Sequence, residues 1–148
     1  MRFRIPDTVQ YLHTSSAVQW QGAFLTHMRT GPSGSFDGCW SWLGVSHALC
    51  PTGSSFLDSL RNPTGTPDVD LMVGVPGETY SGSWSAVLES VNLFVDPALI
   101  ETVLHRPYSE GLVLAAVRRL HTDKTIKHLL AALLEDVVAG SPAGPLLG

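Results

Sequence analysis

Six histidines, His13, His27, His47, His105, His121 and His128, are the side chains of this chain best suited to proton transfer or metal ligation. His27 and His47 fall inside apolar stretches. An imidazole there is either a hydrogen-bonded core or surface residue or the partner of a bound ligand. His128 falls on the wet side of a helix, and His105 and His121 lie near element ends, as surface residues do. Glu89 stands in the most apolar stretch. A carboxylate in that setting must be paired, protonated or open to a cavity mouth. Arg29 is the cation that could pair with it or grip a polar ligand. The rings of Trp20, Trp40, Trp42 and Trp84 could line a pocket and stack on a flat ligand. Alternatively they fill the core of a glycine-rich barrel. Arg29, Trp40, Trp42, His47, Tyr80 and Glu89 form the candidate ligand-binding set.

Spacing argues against several chemistries. Cys39 and Cys50 fit no zinc pattern and make no disulfide framework. They read as small buried hydrophobes in a reducing, cytoplasmic setting. There is no Gly-x-Ser-x-Gly elbow, phosphate loop, Rossmann fingerprint or His-Glu-x-x-His. No cofactor, metal or catalytic set is expected. The net charge of −4 is unevenly spread, with four basic and eight acidic side chains up to residue 96 and five of each beyond it. No segment is basic enough to track phosphates, so nucleic acid is not a direct partner. Residues 38–57 carry no Asp, Glu, Lys or Arg, yet their Gly, Ser, Pro, His and Cys make them too polar to span a membrane. The opening Met1-Arg2-Phe3-Arg4-Ile5-Pro6 lacks the apolar run of a signal peptide.

The elements that must position these side chains are mostly strands. The chain has 148 residues, of which 44% are hydrophobic and 15% charged, with ten prolines and fourteen glycines. That composition suits one domain with many turns and a real core. Residues 22–29 read as a strand closed by the turn at 30–34. Residues 39–50 read as a second, with Trp40 and Trp42 on one face and Leu43, Val45, His47 and Leu49 on the other. After a further stretch at 54–60 and a loop at 62–67, residues 69–75 read as a short strand before the turn 75–78. Residues 83–95 read as one long strand. Val87, Glu89, Val91, Leu93 and Val95 take one face, and Trp84, Ala86, Leu88, Asn92 and Phe94 the other. Both faces are largely apolar, as between two layers.

Asp96-Pro97 reads as the N-cap and first position of a helix ending near Leu104. Residues 112–120 suit either a helix or a strand. Over 123–139 the spacing of Ile126, Leu129, Leu130, Leu133, Leu134, Val137 and Val138 gives one apolar stripe. Asp123 can cap its start and Gly140 its end. Lys124, Lys127, His128, Glu135 and Asp136 take the wet side. Many strands followed by a capped helix suit a small barrel with helices at one end.

Several stretches resemble the sensor domain of AraC-type transcriptional regulators. Trp20-Gln21-Gly22-Ala23-Phe24 with Arg29-Thr30-Gly31-Pro32 is similar to that domain's opening. Val75-Pro76-Gly77-Glu78 followed by Trp84 resembles its Pro-Gly-Glu-Pro-His turn and the tryptophan after it. Val91 to Pro97 resembles the strand and Asp-Pro step that follow. Asp123 to Gly144, with Gly140-Ser141-Pro142-Ala143-Gly144, resembles the helix and Gly-x-Pro-x-Gly loop ahead of the family's second helix.

The resemblance implies a degenerate cupin-like (jelly-roll) barrel followed by an amphipathic helix. It implies a non-enzymatic domain that senses an unknown small-molecule effector and forms a homodimer. DNA would be reached only through a helix-turn-helix domain not present in this chain. Ile126, Leu130, Leu133, Leu134 and Val137 would serve packing and dimerisation. The resemblance also favours a strand at 112–120. Metal-holding cupins carry a His-x-His that is absent here, and Tyr80 stands where such cupins supply a histidine. The alternative is a small metal-free cupin-like enzyme, an isomerase or lyase, with His47 and Glu89 converging in a pocket. A pure interaction module filled by its own tryptophans is a third reading.

Overall fold

The computed structural model describes residues 9–49, 71–84, 87–109 and 124–142, the side chains of 80–83 excepted. Among these the chain is mainly β with two helices. In order come β1 (Val9–Thr14), a 3₁₀ turn (Ser15–Ala17), β2 (Ala23–Thr30), β3 (Gly34–Cys39), β4 (Leu43–Ala48), β5 (Leu71–Gly74), β6 (Thr79–Trp84) and β7 (Glu89–Val95). The helices are α1 (Pro97–Leu104) and α2 (Lys124–Val138). The five-stranded sheet runs β1-β2-β7-β4-β5, and β3 pairs with β6 in a separate ribbon. Every pairing is antiparallel.

The pairings are nested. β2 pairs with β7, β3 with β6 and β4 with β5, so residues 23–47 run back against residues 71–95 as one long hairpin. Its register never slips: partner numbers add to 118 in β2·β7 (23 and 95), in β3·β6 (34 and 84) and in β4·β5 (44 and 74). The same ladder crosses the breaks between strands. Thr30 N–H donates to Leu88 C=O at 2.8 Å, and Trp40 N–H to Glu78 C=O at 3.3 Å. A further pairing of β4 with β7 rolls the hairpin onto itself.

Register decides what each face carries, because side chains alternate along every strand. On one face Leu25, Leu93, Val45 and Val73 stand side by side across four strands. Beside them lie Val91 and Leu71, and Trp20 joins the same core. Helix α2 lies against this face, packing Ile126, Leu130, Leu133, Leu134 and Val137 into that cluster. Leu130 is only 2% exposed. Each leucine buried this way stabilises the fold by about 1.5–3 kcal/mol. The opposite face carries Phe24, Thr26, Ser46, Asn92 and Phe94, capped by the Trp40 ring stacked on Phe94 at 5.0 Å.

The helix ends follow from local chemistry. Asp96 Oδ1 accepts from Ala98 N–H at 2.9 Å, with Pro97 supplying a preset φ at the first helical position. At the end of α2, Ser141 N–H reaches Asp136 C=O at 2.8 Å and Gly140 N–H reaches Val137 C=O at 3.0 Å. Gly140 adopts φ +78° to close this cap, as expected of a glycine there. The apolar stripe of α2 is wider than its buried face. Leu129 and Val138, at its two margins, are 54% and 56% exposed, while Lys127 and Asp136 are half-buried instead of wet.

Two expected strands are each broken. The stretch 39–50 is not one strand: β3 ends at Cys39, residues 40–42 turn, and β4 starts at Leu43. The chain leaves one sheet and enters the other there, so Trp40 and Trp42 are link residues with no strand face. The stretch 83–95 likewise divides into β6 and β7. Alternation within 89–95 survives, with both faces covered. β1 and β3 were not foreseen, because neither shows a clean apolar alternation and β3 carries two glycines. The expected elements at 54–60, 62–67 and 112–120, together with the Asp123 cap, lie outside the described residues.

Candidate functional site

Two polar constellations lie on opposite faces of the five-stranded sheet. The first sits at the margin of the helix-covered face. Register puts His27 of β2 and His47 of β4 on either side of Val91 in β7, and Arg29 directly opposite Glu89. A β-bulge between Tyr11 and His13 brings His13 opposite His27. His27 Nε2 lies 2.6 Å from Glu89 Oε1, and Arg29 Nη2 donates to Glu89 Oε2 at 3.0 Å. His13 and His27 stack nearly parallel, 5.3 Å between centroids, with their Nδ1 atoms 3.0 Å apart. His27 is buried, between the exposed His13 and the half-buried Glu89. The bond from His27, then that from Arg29, hold the Glu89 carboxyl below its ordinary 4.5, outweighing the opposing effect of burial. Glu89 is therefore an ionised acceptor at neutral pH.

The second constellation crosses the middle of the other face. Thr26, Asn92 and Ser46 are register partners on β2, β7 and β4, and all three are buried. Asn92 Nδ2 donates to Thr26 Oγ1 at 3.2 Å and to Ser90 Oγ at 3.2 Å. The next register row is Phe24, Phe94, Gly44 and Gly74. The Trp40 ring lies on the two glycines: a Cβ on Gly44 would meet it at 2.3 Å and one on Gly74 at 3.2 Å. A flat aromatic wall thus adjoins a row of hydroxyl and amide groups. Among the described strand residues this face carries no charged side chain. A buried surface of this kind can hold a neutral, polar molecule by hydrogen bonds and ring contact.

The sequence-derived candidates separate between these places. Arg29 and Glu89 meet, but as a half-exposed pair and not the buried one that was one reading, with the Arg29 side chain 48% exposed. His47 shares their face one register row away, and the imidazole of His27 bonds Glu89. Trp40 lies on the opposite face, and Trp42 is half-buried in the link between β3 and β4. Tyr80 pairs with Gly38 in the ribbon, and its side chain is outside the described set. Thr26, Ser46, Asn92 and His13 were missed. Asn92 left a visible signal, since alternation already placed its amide on the face of Leu88 and Phe94. His13 left none, because the strand that presents it was not foreseen.

Among the described residues no group of three His, Cys, Asp or Glu has metal-holding geometry. No described helix is long and apolar enough to cross a membrane. No protein-family model, no curated protein and no solved structure matches this chain.

Proposed function

We propose that this chain is the ligand-sensing and dimerisation domain of an AraC-type transcriptional regulator, controlling an attached helix-turn-helix domain. The single observation that carries the reading is the inverted polarity of the sheet. Its apolar rows face α2, whereas its opposite face buries the neutral row Thr26–Asn92–Ser46 beside Trp40. The row is braced internally, Asn92 donating to Thr26 and Ser90, and the same amide and hydroxyl groups are those a small-molecule effector would bond.

The nested hairpin supports the cupin-like part of the reading. Rolling such a hairpin gives two sheets face to face, the jelly-roll arrangement. Its interior would be the face bearing Asn92, and α2 would pack outside. Effector binding would favour one arrangement of barrel and α2, and so bias the attached DNA-binding domain by population shift. The exposed margin of α2, with Leu129 and Val138, suits a homodimer contact. A cytoplasmic location belongs to the same reading.

Thermal-shift screening with small neutral polar compounds tests it. A genuine effector raises the midpoint saturably, by the equivalent of about 2.7 kcal/mol at a hundredfold excess over Kd. That response should vanish in Ser46→Leu. A response fully retained in Ser46→Leu would remove the interior row from the reading.

A further inference from the structure

We infer that the His13–His27 contact is a proton-operated latch that holds the edge strand β1 on the sheet and lets go when both imidazoles are protonated. The geometry allows one proton between the rings and no more. Two Nδ1 atoms 3.0 Å apart need one N–H and one lone pair between them. His27 Nε2 must carry a proton, because its partner is the ionised Glu89 carboxylate. If His27 is neutral, its Nδ1 is the acceptor and His13 donates. If His27 is an imidazolium, its Nδ1 donates and His13 accepts. The first added proton therefore leaves the contact intact, and Glu89 balances its charge. The second puts two N–H groups and two positive charges face to face, which drives the rings apart.

The surroundings favour release at His13. His27 is buried and tied to Glu89, which Arg29 also grips. His13 is exposed and can turn into water. It follows the bulge, where the pairing of β1 is already irregular. Of the other titratable groups nearby, Tyr11 of β1 pairs with Met28 and so points to the opposite face. His47 of β4 lies beyond Val91. Helix α2, packed on β1, β2 and β7, brings Lys124, Lys127, His128, Glu135 and Asp136. The carboxylate that balances His27 is Glu89, which Arg29 also pairs with. Because α2 touches β1 as well as β2 and β7, loss of β1 would also loosen one support of the helix.

Backbone amide exchange on the whole chain, from about pH 8 to about pH 5, tests the latch across the range where imidazoles ordinarily titrate. After correction for intrinsic rates, amides of Val9–Thr14 should lose about tenfold more protection than those of β7. His13→Phe keeps a stacked ring without a proton, and His13→Gln keeps a polar group without titrating. Both should abolish the pH dependence of β1 while β7 stays protected. Equal loss of protection in β1 and β7, or a pH dependence of β1 that persists in either variant, would overturn the latch.

Discussion

His27 and Glu89 face each other across the β2·β7 ladder one register step apart, Nε2 to Oε1 at 2.6 Å. This contact has a definite consequence for pH. The Glu89 carboxyl titrates below its ordinary 4.5 in the folded protein. A group so depressed stabilises the fold above its unfolded value and loses that contribution as pH falls through the folded one. Glu89→Gln should therefore cost no more than about 1 kcal/mol at neutral pH, since a neutral amide can still accept from His27 and solvent screens the lost charge. The gap between wild type and variant should close as acid titrates Glu89 below 4.5. Chemical denaturation at neutral and acidic pH measures it, and a gap that widens in acid would contradict the assignment.

Leu130 and Leu129 are chain neighbours on α2 with opposite exposures, 2% and 54%. Leu130→Asp puts an unpaired charge into the Leu25–Val91–Val137 cluster and should abolish the cooperative melt. Leu130→Ala should cost about 2–4 kcal/mol through the cavity left behind. Leu129→Asp should change monomer stability by no more than about 0.5 kcal/mol. If the margin of α2 is the homodimer seam, the same Leu129→Asp should halve the mass in light scattering.

Gly44 is a close-approach glycine. Its added Cβ would lie 2.3 Å from the Trp40 ring, which cannot yield without leaving Phe94. Gly44→Ala should cost about 1–3 kcal/mol by overpacking and change the Trp40 emission. Gly74→Ala, whose Cβ would meet the same ring at 3.2 Å, should cost less. An unchanged melting midpoint in Gly44→Ala would mean that Trp40 sits elsewhere in solution.

Periodicity made some of this architecture legible and hid the rest. The α2 stripe and the Asp96-Pro97 cap were readable because the physics that makes them is local. The alternation in 89–95 was equally plain. What sequence could not reveal was where a strand changes sheets. Trp40, Ser41 and Trp42 carry no Pro or Gly, so nothing local marks the link between β3 and β4. The constant register of the hairpin, which decides that Arg29 meets Glu89 and that Thr26 meets Asn92, is a nonlocal property. Charged and aromatic candidates could be named from residue type, but their division between two faces needed that register.

Asn92 is where the sensor reading and the filled-core reading part. If its amide exists chiefly to brace the sheet, Asn92→Leu removes two neutral hydrogen bonds at 3.2 Å and leaves a methyl-bearing side chain against Thr26 and Ser90. Each such bond contributes about 1 kcal/mol net, so the midpoint would fall by several degrees. If the row is the floor of an effector site, leucine in that position offsets much of the loss by apolar burial next to Phe94 and Trp40. The midpoint should then stay within about 3 °C of wild type. The stabilisation given by an effector should nevertheless disappear. A variant that unfolds outright would make the polar row architectural and take away the main support for an effector site on this face.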